Sequence, residues 1–324
     1  MDKVKVAVVG TGHMGRHHVR IYNEMPEVEL IGVCDIRKDL GMEYAQQFQT
    51  TFFENYKDLI PKVEAVSIAV PTNLHHKITG FLLENGVHCM LEKPIACNLE
   101  EAEDLLQISR KTNTILEVGH VERFNSAILK IAEFINKPRY IESNRLGPFS
   151  PRVKDIGVVQ DLMIHDVDII LNLVKDKIKR IDAVGINVIT DYDDIAHAHV
   201  VFENGCIANL NASRLSDEEM RKLRIFQDDM YVSLDYAKQE VFIQKLQSGS
   251  ITKETVPISK EEPLKLELAH FISCVMNKKN PIVSGEQGKD ALGVVLEILR
   301  NIHQRRKLWS GEHTNFEDEQ TTQD

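Results

Sequence analysis

The segment Gly10-Thr11-Gly12-His13-Met14-Gly15 constrains the fold of this chain more than any other. It follows a short apolar run, Lys5 to Val9, and opens a helix-like stretch that begins at His17 and His18. Between a strand and a helix each glycine has its own task. The first permits a tight turn, the second lets the backbone approach a pyrophosphate, and the third lets the helix pack closely. The helix N-terminus then faces the anion. The next apolar run, Glu29 to Cys34, ends at Asp35, about 20 residues past the third glycine, where a carboxylate accepts hydrogen bonds from an adenosine ribose diol. A carboxylate there repels the 2′-phosphate of NADP, so the pattern predicts NAD. Arg37, two residues on, opposes that preference, since a guanidinium stacks on adenine or meets a 2′-phosphate equally well. The expected cofactor contacts are therefore Gly10, Thr11, Gly12, His13, Met14, Gly15, Asp35 and Arg37.

From Val4 to Gly119 short apolar runs alternate with amphipathic stretches, with further strands expected at Ala65 to Val70, His88 to Leu91 and Ile115 to Val118. Continuous apolar strands separated by helices predict an α/β Rossmann domain around a parallel sheet buried on both faces. After Gly119 the pattern changes. A helix is expected near Ser126 to Asn136, a strand near Arg139 to Arg145 and a second helix after Gly157. Alternating segments then follow at Ile178 to Ile189, Ala196 to Phe202, Cys206 to Arg214, Leu223 to Phe226, Met230 to Leu234 and Val241 to Lys245. Short turns between them, such as Glu203-Asn204-Gly205, predict an α+β domain on a large, mostly antiparallel open sheet. Two closing helices are expected, Leu264 to Met276 and Gly288 to Arg305. The division of the 324 residues is thus 1–120 for the dinucleotide domain, 121–310 for the second domain and 311–324 for a polar, acidic tail.

Charge and cysteine content narrow the function classes. Thirty-nine basic against 49 acidic residues give a net charge of -10, which repels a nucleic-acid backbone unless positive charge is segregated. The one basic cluster, Arg305 to Lys307, reads as a solvated helix end. Five widely spaced cysteines, an odd number, imply a reduced compartment. No apolar run approaches the roughly 20 residues of a membrane span, and no charged leader precedes the first strand. A cytoplasmic protein that binds neither nucleic acid nor membrane is expected.

Two further segments carry chemistry. The strand ending Leu91-Glu92-Lys93-Pro94 places Lys93 at the carboxyl edge of the sheet, where open α/β folds bind their ligands. Pro94 restricts the backbone of Lys93 and so aims its ammonium group. In the helix after Gly157, Asp161, His165 and Asp168 share one face of an otherwise apolar segment, and inward polar groups there need partners or a ligand. Removing hydride from a secondary alcohol requires a base near neutral pH, and histidine suits it. The expected catalytic group is His165 as base, Lys93 holding the same oxygen as charge grows on it, and Asp161 orienting the site. Whether Lys93 or His165 takes the proton stays open at this level. His17-His18, His75-His76 and His197-x-His199 lack ligand spacing, and no metal site is expected.

These segments together resemble the glucose-fructose oxidoreductase, inositol dehydrogenase and MocA family over almost the whole chain. The likeness rests on the early GxGxxG, Pro71-Thr72-Asn73-Leu74-His75, Gly86-Val87-His88 leading to Glu92-Lys93-Pro94, and Asp161 with His165. It implies that Pro71, Thr72, Asn73, His75, Glu92 and Lys93 belong to the cofactor site, near the nicotinamide ribose, and that the second sheet serves a homodimer or homotetramer. Met163 departs from many relatives, which carry glycine between the aspartate and the histidine. Within the family, Gly119-His120-Val121-Glu122-Arg123-Phe124-Asn125 and Gly147-Pro148-Phe149-Ser150-Pro151-Arg152 are similar to the branch that oxidises the 3-hydroxyl of UDP-N-acetylglucosamine for 3-amino sugars of lipid A. That likeness implies substrate contacts from His120, Arg123, Asn125, Arg145 and Arg152 beside Asp161 and His165. An inositol or simple sugar dehydrogenase fits the same catalytic group, and a non-catalytic NAD-binding regulator fits the dinucleotide domain alone.

Overall fold

The computed structural model describes residues 3–150, 156–247 and 250–310. Its first sheet has six parallel strands in the order β3-β2-β1-β4-β5-β6. The strands are β1 (Val4–Val9), β2 (Val28–Cys34), β3 (Thr51–Phe53), β4 (Ala65–Ile68), β5 (His88–Glu92) and β6 (Leu116–Gly119). The helices α1 (Gly15–Glu24), α2 (Lys38–Gln47), α3 (His75–Glu84) and α4 (Leu99–Thr112) connect them. Chain order reverses between β1 and β4, which opens the crevice where doubly wound sheets bind a dinucleotide. Five of the six strands fall where the apolar runs predict them. The three-residue β3 carries too little pattern to be seen in sequence.

The second sheet has eight strands in the order β14-β13-β12-β11-β7-β10-β9-β8. They are β7 (Tyr140–Leu146), β8 (Ile178–Ile186), β9 (Ile195–Phe202), β10 (Ile207–Ser213), β11 (Met220–Gln227), β12 (Met230–Asp235), β13 (Glu240–Gln247) and β14 (Ser250–Val256). All neighbours pair antiparallel except β7 and β10. Burial alternates strictly along β7 and β9, and along β10 as far as Ala212, as expected of a sheet covered on one face only. The inner face packs on α5 (Ser126–Ala132), α6 (Ile164–Val174) and part of α8 (Gly285–Ser310). The outer face carries polar ladders. His197 Nδ1 lies 2.7 Å from Asn211 Oδ1, and Asn211 Nδ2 donates to Asn144 Oδ1 at 3.1 Å.

The linear division into residues 1–120 and 121–310 does not describe the packing. Helix α7 (Pro263–Asn277) returns to the first sheet, where Leu264, Leu268, Phe271 and Ile272 share a core with Val4, Val6, Val8 and Val19. Helix α8 spans both layers, with Leu292 in the Rossmann core and Val295, Ile298 and Ile302 in the other. The return of α7 buries its apolar stripe on the face of the parallel sheet that α1 leaves open. The tail, residues 311–324, lies outside the described residues.

Candidate active site

The turn after β1 is dictated by close approach. Gly10 has φ of +89°, and a Cβ there would lie 2.4 Å from the carbonyl oxygen of Ala69. A Cβ on Gly15 would lie 1.7 Å from the carbonyl oxygen of Gly10, so the first and third glycines are required by the chain's own packing. Gly12 differs. The nearest group to its missing Cβ is Arg37 Nη2 at 3.9 Å, so its open face is room for a ligand and not a demand of the fold. No side chain caps α1, and its first turn holds no acid, which leaves the positive end of the helix for a phosphate.

Asp35 closes the other end of this cleft. Its Oδ2 accepts hydrogen bonds from Thr11 N and Thr11 Oγ1, both at 2.8 Å, and its Oδ1 accepts from Arg37 N at 2.8 Å. Burial pushes this carboxyl up, yet the hydrogen bonds from Arg37 and Thr11 prevail and hold it below its ordinary value. Arg37 Nε stands 3.3 Å from Asp35 Oδ1, with the guanidinium largely exposed. A cleft of about 570 Å³ runs from Gly10 and Gly12 past Asp35 to Tyr56, Pro71 and Leu74. An open glycine face, an uncapped helix and an ionised acceptor along one cleft fit an NAD adenosine diphosphate.

His75 and Glu92, expected as cofactor contacts, hold the site from behind. His75 is 1% exposed, with Nδ1 at 2.8 Å from the Pro94 carbonyl and Nε2 at 2.9 Å from the Val70 carbonyl. It ties the Pro71–Leu74 turn to the Lys93–Pro94 turn, whose peptide bond is cis. Glu92 is also buried, and its Oε1 is 3.1 Å from His18 Nε2. Burial pushes the Glu92 carboxyl up, but His18 and then Lys93 hold it below the usual value. His18 is a residue that sequence reasoning missed. One of two adjacent histidines near a helix start looks like surface until the helix face is known.

Lys93 leaves the end of β5 and crosses to the second layer. Its Nζ donates to the Asp161 carbonyl at 2.9 Å and to Asp161 Oδ1 at 3.1 Å. Asp161 sits in a π-helical turn, Val159–Met163, that runs directly into α6. Met163, where relatives carry glycine, is fully buried in the second core. His165 follows on the first turn of α6, half-buried, with Nδ1 enclosed and unpartnered among the described residues. Burial drives its pKa well below 6.5, and the charges of Lys93 and Arg145 drive it in the same direction. The Lys93 ammonium thus meets the Asp161 carboxylate at the edge of the Rossmann sheet, and its charge acts on the neutral imidazole of His165 one helical turn further on.

Most of the other expected contacts are held by partners within the protein. Asp168, placed by helical spacing on the same face, turns away to Arg123, with Oδ1 accepting from Nη1 at 3.2 Å. Arg123 is itself buried and donates to Asn172 Oδ1 at 2.9 Å, so it is no free cation for a substrate. Arg145 donates from Nε and Nη2 to the two carboxylate oxygens of Asp166, at 2.9 and 3.0 Å, and from Nη1 to Glu122 Oε1 at 2.8 Å. Asn125 caps α5, its Oδ1 accepting from Ala127 N at 3.1 Å. His120 is 1% exposed beneath His165, their ring centroids 6.4 Å apart. Arg152 lies outside the described residues. A second cleft of about 290 Å³ borders Asp161 and is lined by the expected Arg145 together with Ser150, Ser213, Arg214 and Arg221. Arg221 faces Arg145 across the β11–β7 pairing, and among the described residues its guanidinium pairs with the exposed Glu219, at 2.9 Å. Sequence holds no sign of that pairing.

A dinucleotide crevice whose carboxyl edge carries a lysine, met by an aspartate and a histidine from a second domain, defines an NAD-dependent oxidoreductase acting on a sugar hydroxyl. Residues 4–120 match the oxidoreductase family, NAD-binding Rossmann fold, and residues 135–232 match the GFO/IDH/MocA C-terminal domain. The chain belongs to the GFO/IDH/MocA family. It is 34% identical over 306 residues to UDP-N-acetylglucosamine 3-dehydrogenase of Acidithiobacillus ferrooxidans, a match covering 92% of this chain and 97% of that protein. The solved structure of that enzyme superposes with a TM-score of 0.90 at 33% identity, covering 94% of this chain and 99% of the other. The scyllo-inositol 2-dehydrogenase (NAD(+)) of Bacillus subtilis is 27% identical over 317 residues, 87% of this chain and 89% of that protein. Among the described residues no helix is long and apolar enough to cross a membrane.

Proposed function

We propose that this protein oxidises the 3-hydroxyl of UDP-N-acetylglucosamine to a UDP-3-keto sugar. The observation that carries the reading is the Lys93–Asp161 pair, with His165 one helical turn on, beside a second cleft lined by Arg221. Bound NAD supplies the hydride acceptor. His165, neutral by burial, takes the hydroxyl proton through Nε2, the ring nitrogen that is not enclosed. Lys93 donates to the same oxygen as charge develops on it, and Asp161 fixes the ammonium in place. Arg221 and Ser213 suit a diphosphate lying beyond the sugar, because a guanidinium paired with an exposed carboxylate exchanges that partner at little cost. The near full-length likeness to a UDP-N-acetylglucosamine 3-dehydrogenase supports this substrate. The open polar face of the eight-stranded sheet supports a homodimer or homotetramer.

Relatedness to the scyllo-inositol enzyme favours one second reading, a polyol dehydrogenase using the same three residues. Incubation with NAD and a panel of UDP-sugars, free sugars and inositols separates the two. NADH is expected with UDP-N-acetylglucosamine, with the new carbonyl at C3. Turnover of an inositol and of no UDP-sugar would replace the nucleotide-sugar reading with the polyol one.

A further inference from the structure

Three polar side chains, His165, His120 and Asp168, carry buried atoms that lack hydrogen-bond partners among the described residues. The atoms are His165 Nδ1, both ring nitrogens of His120 and Asp168 Oδ2. The two imidazoles meet edge to face at 6.4 Å between centroids, a separation that suits one bridging water better than a direct bond. Buried polar atoms in such a position ordinarily hold ordered water. Asp168 is the charge that acts most strongly on His120. Its second oxygen is bound to Arg123 at 3.2 Å, and both residues line a cleft of about 300 Å³ with Asn172, Lys175 and Asp290. Lys175 and Asp290 are exposed, so this cleft reaches solvent away from Lys93 and Asp161.

The proposed oxidation, on which this inference rests, deposits one proton on His165 at every turnover. His165 is a poor place to keep it, being buried and next to Lys93 and Arg145. Substrate and cofactor together cover the front of the imidazole. We propose that His120 and Asp168 form a rear proton path that carries the substrate's hydroxyl proton from His165 to the cleft at Arg123. His165 takes the hydroxyl proton at Nε2 and releases its Nδ1 proton to a bridging water. The charge passes through His120 to Asp168 Oδ2 and leaves with water from the cleft. Only O–H and N–H bonds form and break along the path, and the electron pair of the broken C–H bond leaves with the hydride. The charged groups facing it are Lys93 and Glu92 from the end of β5, Arg123, Arg145 and, from α7, Glu267.

The test compares wild type with His120→Leu, oxidising UDP-N-acetylglucosamine, or myo-inositol if that is the alcohol turned over. The path predicts that His120→Leu lowers kcat by on the order of a hundredfold, with KM for the alcohol and affinity for NAD retained. Added imidazole buffer should restore kcat in the variant in proportion to its concentration and leave wild type unchanged. A wild-type kcat in His120→Leu, or a loss that imidazole does not relieve, would overturn the path. Should the variant not fold, the first turnover of wild type in mixtures of light and heavy water decides. A curved dependence, with several protons in flight, supports the path, and a linear one overturns it. If no alcohol of the panel is oxidised by wild type, the proposed reaction itself has failed.

Discussion

Lys93 Nζ donates at 3.1 Å to Asp161 Oδ1 and at 2.9 Å to the carbonyl of the same residue, and this pair joins the end of the Rossmann sheet to the π-helical turn of the second domain. The two bonds hold the ammonium at one place. Lys93 therefore acts on His165 as a fixed charge. That geometry depends on how the two layers dock, and α8 packs into both, with Leu292 in the Rossmann core and Val295, Ile298 and Ile302 in the other.

Removing the charge should be visible on the imidazole. In Lys93→Met the pKa of His165 is expected to rise, because a nearby cation disfavours the protonated ring. Burial stays, so the value remains below the ordinary 6.5. Histidine NMR titration of wild type and variant measures the shift. An unchanged or lowered pKa would contradict the placement.

Cofactor choice rests on Asp35. Replacing it with alanine removes the acceptor expected to meet the ribose diol and frees Thr11 and Arg37. The kcat/KM with NAD should fall by roughly 10- to 100-fold, the worth of a hydrogen bond to a charged group, while the ratio of NADP to NAD use rises. Initial rates with both cofactors test this.

Arg145 should report on stability. Arg145→Leu leaves the buried Asp166 and the largely buried Glu122 without their shared cation, and breaking such a buried pair costs about 3–5 kcal/mol. Urea unfolding measures the loss. A change below about 1 kcal/mol, the worth of a surface ion pair, would mean that the guanidinium is not buried with its acids as described.

Glu117 sits fully buried on β6 with both carboxylate oxygens unpartnered among the described residues, and burial pushes its pKa up to about 9. Tyr22, Glu267 and Cys274 surround it, and it lies within 4.8 Å of ligand atoms of His270 and Cys274. The folded state therefore keeps a proton that the unfolded chain releases above its ordinary value of 4.5. Stability from this group is intact below that value and declines as pH rises towards 9, by at most about 1.4 kcal/mol per pH unit. Glu117→Gln should raise Tm relative to wild type at pH 8 and have little effect at pH 4. Equal effects at both would refute a neutral Glu117.

Much of the Rossmann layer was legible because its strands are continuous apolar runs separated by helical stretches, and GxGxxG with Asp35 fixes the crevice. Strand β14 was not, since most of its residues are exposed at a sheet edge and carry no apolar alternation. The return of α7 to the first sheet is a long-range choice that no local pattern encodes. Arg123, Arg145 and Asn125 are the residue types that phosphate and sugar sites use, yet their partners stand 45, 21 and 111 residues away. Only the folded register shows that these side chains are already satisfied. Lys93, Asp161 and His165 were marked in sequence by a lysine at a strand's carboxyl edge and inward polar groups on an apolar helix. The structure pairs Lys93 with Asp161, one helical turn before His165, and turns Asp168 to Arg123.

The most direct test of the account follows NADH formation from UDP-N-acetylglucosamine in wild type, Lys93→Met and His165→Ala, with NAD affinity measured beside it. Both variants are predicted to lose kcat by on the order of 10²- to 10⁴-fold while binding NAD as wild type does. Wild-type turnover in either variant, or a loss of activity that merely tracks a loss of NAD binding, would contradict it.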